Sequence, residues 1–562
     1  MQRHFLAAAI LVALAACSTT APPEAAVADT SASLAVGASP APPPPPLAAA
    51  EAATLDTVSV ALPRMAARMV APMSPAPTGF APVENTERYE HREDNPVHRT
   101  REQPVSTFSI DVDTGSYANV RRMLRQGVRP PADAVRAEEF INYFDYGHPA
   151  PTSRETPFRV TTELAPAPWN AKRQLLMIGI RGYDVPKASL PASNLVFLID
   201  TSGSMDAPGK LPLLKQAFAQ LVPQLRAQDR VSIVVYAGSA GLVLPPTPGD
   251  RHGEILAALE QLAAGGSTNG GEGIQLAYAM AKQSFVKGGV NRVILATDGD
   301  FNVGISNQQA LETLVGDQRA SGVALSTLGF GDGNYNDAMA ERLADVGDGN
   351  HAYIDTLQEA RKVLVEEMQS TLLTIARDVK VQVEFNPAQV AEYRLIGYEN
   401  RVLRNEDFAN DKVDAGDIGA GHQVTALYEI TPVGSGADRL PALRYAGTPT
   451  AVTDGVRSDE IAHLRLRYKL PQRSASRLVE APVRRDQLQA APSESLRFAT
   501  AVAGFADALR GGMRMDGWSL DAIAAMARGA RGEDRGGQRA EFVQLVEAAR
   551  GMQATPTAAV AD

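Results

Sequence analysis

Between residues 194 and 373, short apolar runs alternate with segments whose apolar residues recur at helical spacing. Asn194 to Asp200 is apolar until its closing carboxylate, the pattern of a strand buried on both faces. Leu211, Leu214, Phe218, Leu221 and Leu225 then recur every three or four residues, and Pro212 is tolerable in a first helical turn. The same two periods predict strands over 230–236, 292–297, 324–330 and 351–354. They predict helices over about 252–263, 273–284, 307–320, 336–344 and 357–373. Such alternation points to an α/β fold with a doubly wound, mostly parallel sheet. Right-handed crossovers bring the first strand close to the one over 292–297.

The flanks follow a different rhythm. Beyond residue 374, alternating patterns over 379–385, 394–397, 422–430 and 461–470 read as strands of a second sheet. Ahead of the alternating region, 158–165 and 174–181 also read as strands, and STFSIDVDTGSYANVRRMLRQG reads as a strand, a turn and a helix stopped at Gly127. A short helix is expected over 136–144. Because strands lie on both sides of the alternating domain, they are expected to form one β-sandwich into which that domain is inserted. Helical spacing returns over 496–509, 519–528 and 540–550, a helical C-terminal segment. The resulting divisions are 106–190, 191–375, 376–480 and 481–562.

The N-terminal 105 residues carry no comparable periodicity. MQRHFLAAAILVALAAC has a basic residue, a short apolar core and small residues before Cys17, the layout of an export signal too short to span a bilayer. Residues 18–105 are read as an Ala/Pro-rich disordered tether and a polar lead-in, with His91 and His98 solvated and order beginning near Ser106. Cys17 is the only cysteine in 562 residues, so no intramolecular disulfide can form and stability must come from packed cores. A formal net charge of −10 argues against nucleic-acid binding.

Candidate chemistry gathers at the strand ends. Asp200, Ser202 and Ser204 alternate in a loop with Gly203 between the serines, at the edge of an open sheet where ligands of such folds bind. All three offer hard oxygens, which suits Mg²⁺, Mn²⁺ or Ca²⁺ better than zinc or copper. An octahedral ion needs about six oxygens, so other loops must contribute. Thr268 in GGSTNGGEG, with Ser267 beside it, and Asp298 in RVILATDGDFNVG qualify. Around them, Glu272 could orient a water or simply favour a helix start, Asp300 and Asn302 could contact a partner or cap a turn, and the loop within 329–337 shares the rim. Asp113-Thr-Gly-Ser resembles an aspartic-protease loop, but its one possible second copy at Asp200 has an extra Ser before the Gly. Asp113 is therefore read as a turn or capping residue.

The D-x-S-x-S of Asp200, Ser202 and Ser204, followed by a loop Thr and a strand-end T-D-G, resembles the metal-ion-dependent adhesion site of von Willebrand factor type A domains. The resemblance implies direct metal contacts from Ser202, Ser204 and Thr268, with Asp200 and Asp298 acting mainly through water. It also implies an open position filled by an acidic side chain of a partner protein, and Mg²⁺ as the expected ion, with Mn²⁺ and Ca²⁺ as alternatives. Leu14-Ala15-Ala16-Cys17 resembles a lipobox, implying a lipid anchor on Cys17, and Ser18 after it favours the outer membrane. FSIDVDTGSYANVRR, EEFINYFDY, TDGDFNVG and GAGHQVTALYEI are similar to a bacterial lipoprotein family in which a von Willebrand A domain is flanked by an N-terminal conserved region and a C-terminal domain of unknown function. The implied role is a non-enzymatic, metal-dependent binding protein of the cell envelope. The alternatives are an envelope assembly protein whose metal serves stability, with Asp206 as an internal acid, and a metal-dependent hydrolase. Against the hydrolase, the three loop segments contain no His, Lys or Cys base, and His252 and His351 are read as ordinary loop or strand residues.

Overall fold

The computed structural model describes residues 86–153, 155–237, 239–266, 270–299, 308–444, 459–471 and 473–554. Cys17 with the whole signal-like segment and tether up to residue 85, Thr268, Asp300 and Asn302 lie outside the described residues. In chain order, β1 (His98–Arg99), β2 (Val105–Ser109), α1 (Gly115–Arg125), α2 (Ala137–Asn142), β3 (Phe158–Ala167) and β4 (Asn170–Gly182) come first. The alternating region runs β5 (Ser193–Asp200), α3 (Leu211–Leu221), β6 (Arg230–Tyr236), β7 (Ala240–Pro248), α4 (His252–Glu260), α5 (Gly270–Gln283) and β8 (Val290–Thr297). It continues through α6 (Gln308–Ala320), β9 (Ala324–Phe330), α7 (Asp337–Val346), β10 (His351–Ile354), α8 (Leu357–Arg361) and α9 (Met368–Leu372). Then follow β11 (Thr374–Phe385), β12 (Val390–Ile396), β13 (Ile418–Gly419), β14 (Gln423–Pro432), β15 (Glu460–Lys469), β16 (Ser476–Arg484), α10 (Glu494–Leu509), α11 (Leu520–Gly529) and α12 (Gln538–Ala554).

The alternating region forms one sheet in the order β10-β9-β8-β5-β6-β7, parallel except for β7. Every residue of β5 is buried. Leu195, Phe197 and Ile199 pack with α3 on one face, and Val196 and Leu198 with α5 and α6 on the other, which is why the strand reads as a continuous apolar run. Strand β7 escaped the sequence reading because Pro245, Pro246 and Pro248 suppress its signal. An antiparallel edge with register shifts is where a sheet tolerates them. The single helix expected over 357–373 is instead α8, a widened turn over Lys362–Glu366, and α9. In that turn Lys362 pairs with Glu367 at 2.9 Å and its Nζ sits 4.3 Å from the centroid of the Tyr143 ring.

The flanks form a sandwich of two sheets, β1-β12-β14-β4-β3 and β13-β11-β15-β16, with β2 added along β11. Each sheet mixes strands from before and after the alternating region: Phe108 of β2 lies opposite Val381 of β11, and Ile178 of β4 opposite Ala426 of β14. Phe108, Leu176, Ile178, Val381, Val383, Tyr428, Leu464 and Leu466 fill the space between the sheets. The chain leaves one sheet at Gly182 and re-enters the other at Thr374, so the α/β domain is an insertion in the sandwich. Helices α1, α2, α10, α11 and α12 cover an outer face, where Phe140, Phe144, Phe498, Phe505 and Phe542 meet Leu175, Met177 and Leu427.

Two expectations need correction. Order does not begin near Ser106: the Thr86 and Arg88 N–H groups donate to the Gly333 and Tyr335 carbonyls at 2.8 and 3.0 Å, and His98 and Arg99 pair with Tyr393 and Glu392. This lead-in is held by main-chain bonds and ion pairs such as Asp94 with Arg514, 3.1 Å, which hydropathy does not register. His98 is accordingly half-buried, its ring 5.4 Å from that of Tyr393, whereas His91 is exposed and bonds Asp133 at 2.8 Å. The second is Asp113. It does not cap α1, whose N-cap residue Thr114 makes no side-chain bond; its Oδ1 accepts the His351 N–H at 2.9 Å and joins β10 to the flank. Burial raises its carboxyl well above the ordinary range.

Candidate metal centre

Strands β5 and β8 are parallel neighbours with Ile199 opposite Ala296, so Asp200 and Asp298 emerge together at one C-terminal edge. Both are fully buried. Asp200 Oδ1 accepts the Ser202 N–H at 2.8 Å, an Asx turn that folds the loop back on itself. The turn brings Ser202 Oγ within 3.0 Å of Ser204 Oγ. Met205, fully buried beneath, anchors it. Thr297 Oγ1 donates to Asp200 Oδ2 at 3.4 Å. Burial pushes the Asp200 carboxyl up to about 6 and the charge of Asp298 adds to the rise, against the pull of the Ser202 hydrogen bonds.

The loop leading to Thr268 is tied to the same turn. Gly265 N–H donates to the Thr201 carbonyl at 2.8 Å, and Gly203 N–H to the Gly266 carbonyl at 3.2 Å. Beyond it, α5 packs so closely that a Cβ on Gly273 would lie 2.8 Å from Tyr236 Cβ, so only glycine fits. Glu272 is exposed in the first turn of α5 and Asp206 is exposed after Ser204.

Asp298 is already paired. Lys210 Nζ lies 2.9 Å from its Oδ2, Asn334 Nδ2 donates to its Oδ1 at 3.4 Å, and Lys210 Nζ also donates to Asn334 Oδ1 at 3.3 Å. Lys210 is 7% exposed. Sequence reasoning missed it, finding no Lys in the three segments because it stands one residue past the first. One signal was available: a cation at the N-terminal end of α3 opposes the helix dipole, so its charge must be answered elsewhere. Asn334 belongs to the 329–337 stretch already singled out as part of the rim. His351 is occupied internally, by Thr327 at 2.9 Å and Tyr335 at 2.7 Å, and His252 Nε2 lies 3.4 Å from the Leu225 carbonyl.

Among the described residues no three carboxylate, imidazole or thiolate side chains converge as a metal cluster. The rim supplies hydroxyls instead. Two carboxylates and two adjacent hydroxyls, all hard oxygens, fit a small divalent cation and leave it short of protein ligands.

Residues 194–370 match the von Willebrand factor type A domain family, 83–177 the von Willebrand factor family, and 370–552 the C-terminal family of the uncharacterised protein YfbK. The uncharacterised protein YfbK of Escherichia coli K12 is 52% identical over 473 residues, covering 83% of this chain and 82% of that one. The uncharacterised protein sll0103 of Synechocystis is 31% identical over 211 residues, 37% of this chain and 48% of its own. A solved von Willebrand factor type A structure from Catenulispora acidiphila aligns at 16% identity over 67% of this chain and 88% of its own, with a TM-score of 0.39. On its 52% identity to the Escherichia coli YfbK over most of both chains, the protein belongs to the YfbK family, with a von Willebrand factor type A domain at its centre.

Proposed function

We propose that the protein is a divalent-cation-dependent binding protein and not an enzyme. The observation that carries this reading is the Ser202–Ser204 hydroxyl pair, 3.0 Å apart, beside two buried carboxylates on one sheet edge. Ser202, Ser204 and Thr268 would hold the ion directly, and Asp200 and Asp298 would act mainly through water. Bound there, Mg²⁺, or else Mn²⁺ or Ca²⁺, supplies a Lewis-acidic position for an Asp or Glu carboxylate of a partner protein. The chain's own residues orient that position: the Asx turn fixes both serines, and the Gly203–Gly266 bond holds the two loops together. A lipid on Cys17 would tether the protein to the cell envelope, with the outer membrane favoured by Ser18.

Calorimetric titration of the full chain with Mg²⁺, Mn²⁺ and Ca²⁺ tests the site. One ion is expected to bind wild type and none Asp200→Ala; no binding to wild type, with or without added acetate, overturns the reading. For the anchor, Cys17→Ser should move the protein from the membrane fraction to the soluble one.

A further inference from the structure

We infer that Lys210 is the specificity-determining residue of this rim: its fixed positive charge makes the ion-loaded site demand an anion. The inference rests on the proposed metal site and adds the residue of this chain that would make its ligand anionic. Asp200 and Asp298 bring two negative charges, and Lys210 Nζ, 2.9 Å from Asp298 and almost fully buried, brings one positive charge. With a divalent cation added, the buried site carries a net charge of +1. A carboxylate brings it to neutrality, whereas a neutral oxygen ligand leaves a net charge beside the buried Asp200, Asp298 and Lys210, which is costly.

The same charge repels the incoming cation. Lys210 therefore weakens the ion when it binds alone and is compensated when a carboxylate arrives, so ion and ligand promote each other's binding reciprocally. Its position is built. The stem of Lys210 runs over Gly331, at φ +75°, where any Cβ would collide with Lys210 Cγ and Cε. Asn334 receives the ammonium while donating to Asp298, so the ammonium is held between two loops of the rim.

The test is a calorimetric Mg²⁺ titration of the full chain in chloride, with and without saturating acetate, on wild type, Lys210→Met and Asn334→Asp. Because Asn334→Asp also puts a new carboxylate beside Asp298, Lys210→Gln is titrated as well: it removes the charge but keeps a polar end group able to hydrogen-bond Asp298 and Asn334. It decides the question if Lys210→Met fails to fold, and the comparison is between wild type and the two Lys210 variants. In wild type, acetate should tighten Mg²⁺ about tenfold. In both Lys210 variants Mg²⁺ should bind about tenfold tighter without acetate, and acetate should add little. Equal Mg²⁺ affinity and equal acetate enhancement in wild type and these variants would overturn the role of Lys210 while leaving the metal site standing. No Mg²⁺ binding to wild type in either buffer would overturn both.

Discussion

At the scale of single residues, two positions carry more than their side chains suggest. Gly331 keeps open the path of Lys210 and sits at φ +75°, a region costly to residues with a Cβ. Gly331→Ala should cost about 1–3 kcal/mol in urea unfolding. Glu139 is fully buried, and burial pushes its carboxyl up to about 7, against the pull of Arg136, from an ordinary 4.5. A folded-state pKa above the unfolded one means the native protein holds the extra proton. Its stabilising contribution is complete below pH 4.5 and is lost as pH rises through 7. Glu139→Gln should therefore flatten the fall in stability over that window relative to wild type, read from urea midpoints across pH. The meeting of Asp200, Ser202, Ser204 and Asp298 at one sheet edge was legible because hard-oxygen residues stood where apolar runs ended. Lys210 was not, because its partner Asp298 lies 88 residues away in sequence and no local pattern encodes that pairing. The capping role of Asp113 failed for the same reason, its acceptor serving β10 and not the helix it precedes, while its place in a turn stands, its N–H donating to Asp111 Oδ1 at 3.1 Å.

At the scale of elements, buried ion pairs reinforce the joints between the inserted domain and its flanks. Arg121 of α1 pairs with Asp355 at 2.5 Å and with Glu359 of α8 at 2.7 Å, all nearly solvent-free. Arg136, before α2, pairs with Asp337 of α7, and Arg401 with Asp345 at 2.8 Å and Asp111 at 3.3 Å. Removing one partner strands the others in a medium that does not solvate them. Arg121→Met should therefore destabilise the protein by about 3–5 kcal/mol, measurable as a lower urea midpoint. Periodicity located the strands buried between helix layers. It missed β7, where proline interrupts the pattern, and merged α8 with α9, because a widened turn leaves apolar spacing nearly unchanged.

At the scale of the whole molecule, the insertion itself could be inferred, since strands with alternating polarity flanked a region with helical spacing. The packing of residues 86–105 could not, because polar chain held by main-chain bonds resembles linker. The two attachment points and the buried ion pairs at the joints predict that the inserted domain and the sandwich unfold together. Both tryptophans, Trp169 and Trp518, lie 5.7 Å apart in the flanking layer. Their fluorescence therefore reports the flank alone, while far-UV circular dichroism reports all helices. Coincident urea transitions are expected for wild type and separated ones for Arg121→Met; separation in wild type would show two independent units.

The bonds from Thr86 and Arg88 to the loop of Gly333 and Tyr335 also have a mechanical meaning. Asn334, between those two carbonyls, touches both Lys210 and Asp298. A load applied to the chain ahead of Thr86 meets this loop before it meets any of the hydrophobic cores. Tension would thus be felt first at the rim, the way a pull on a bell-rope is felt at the clapper and not in the tower.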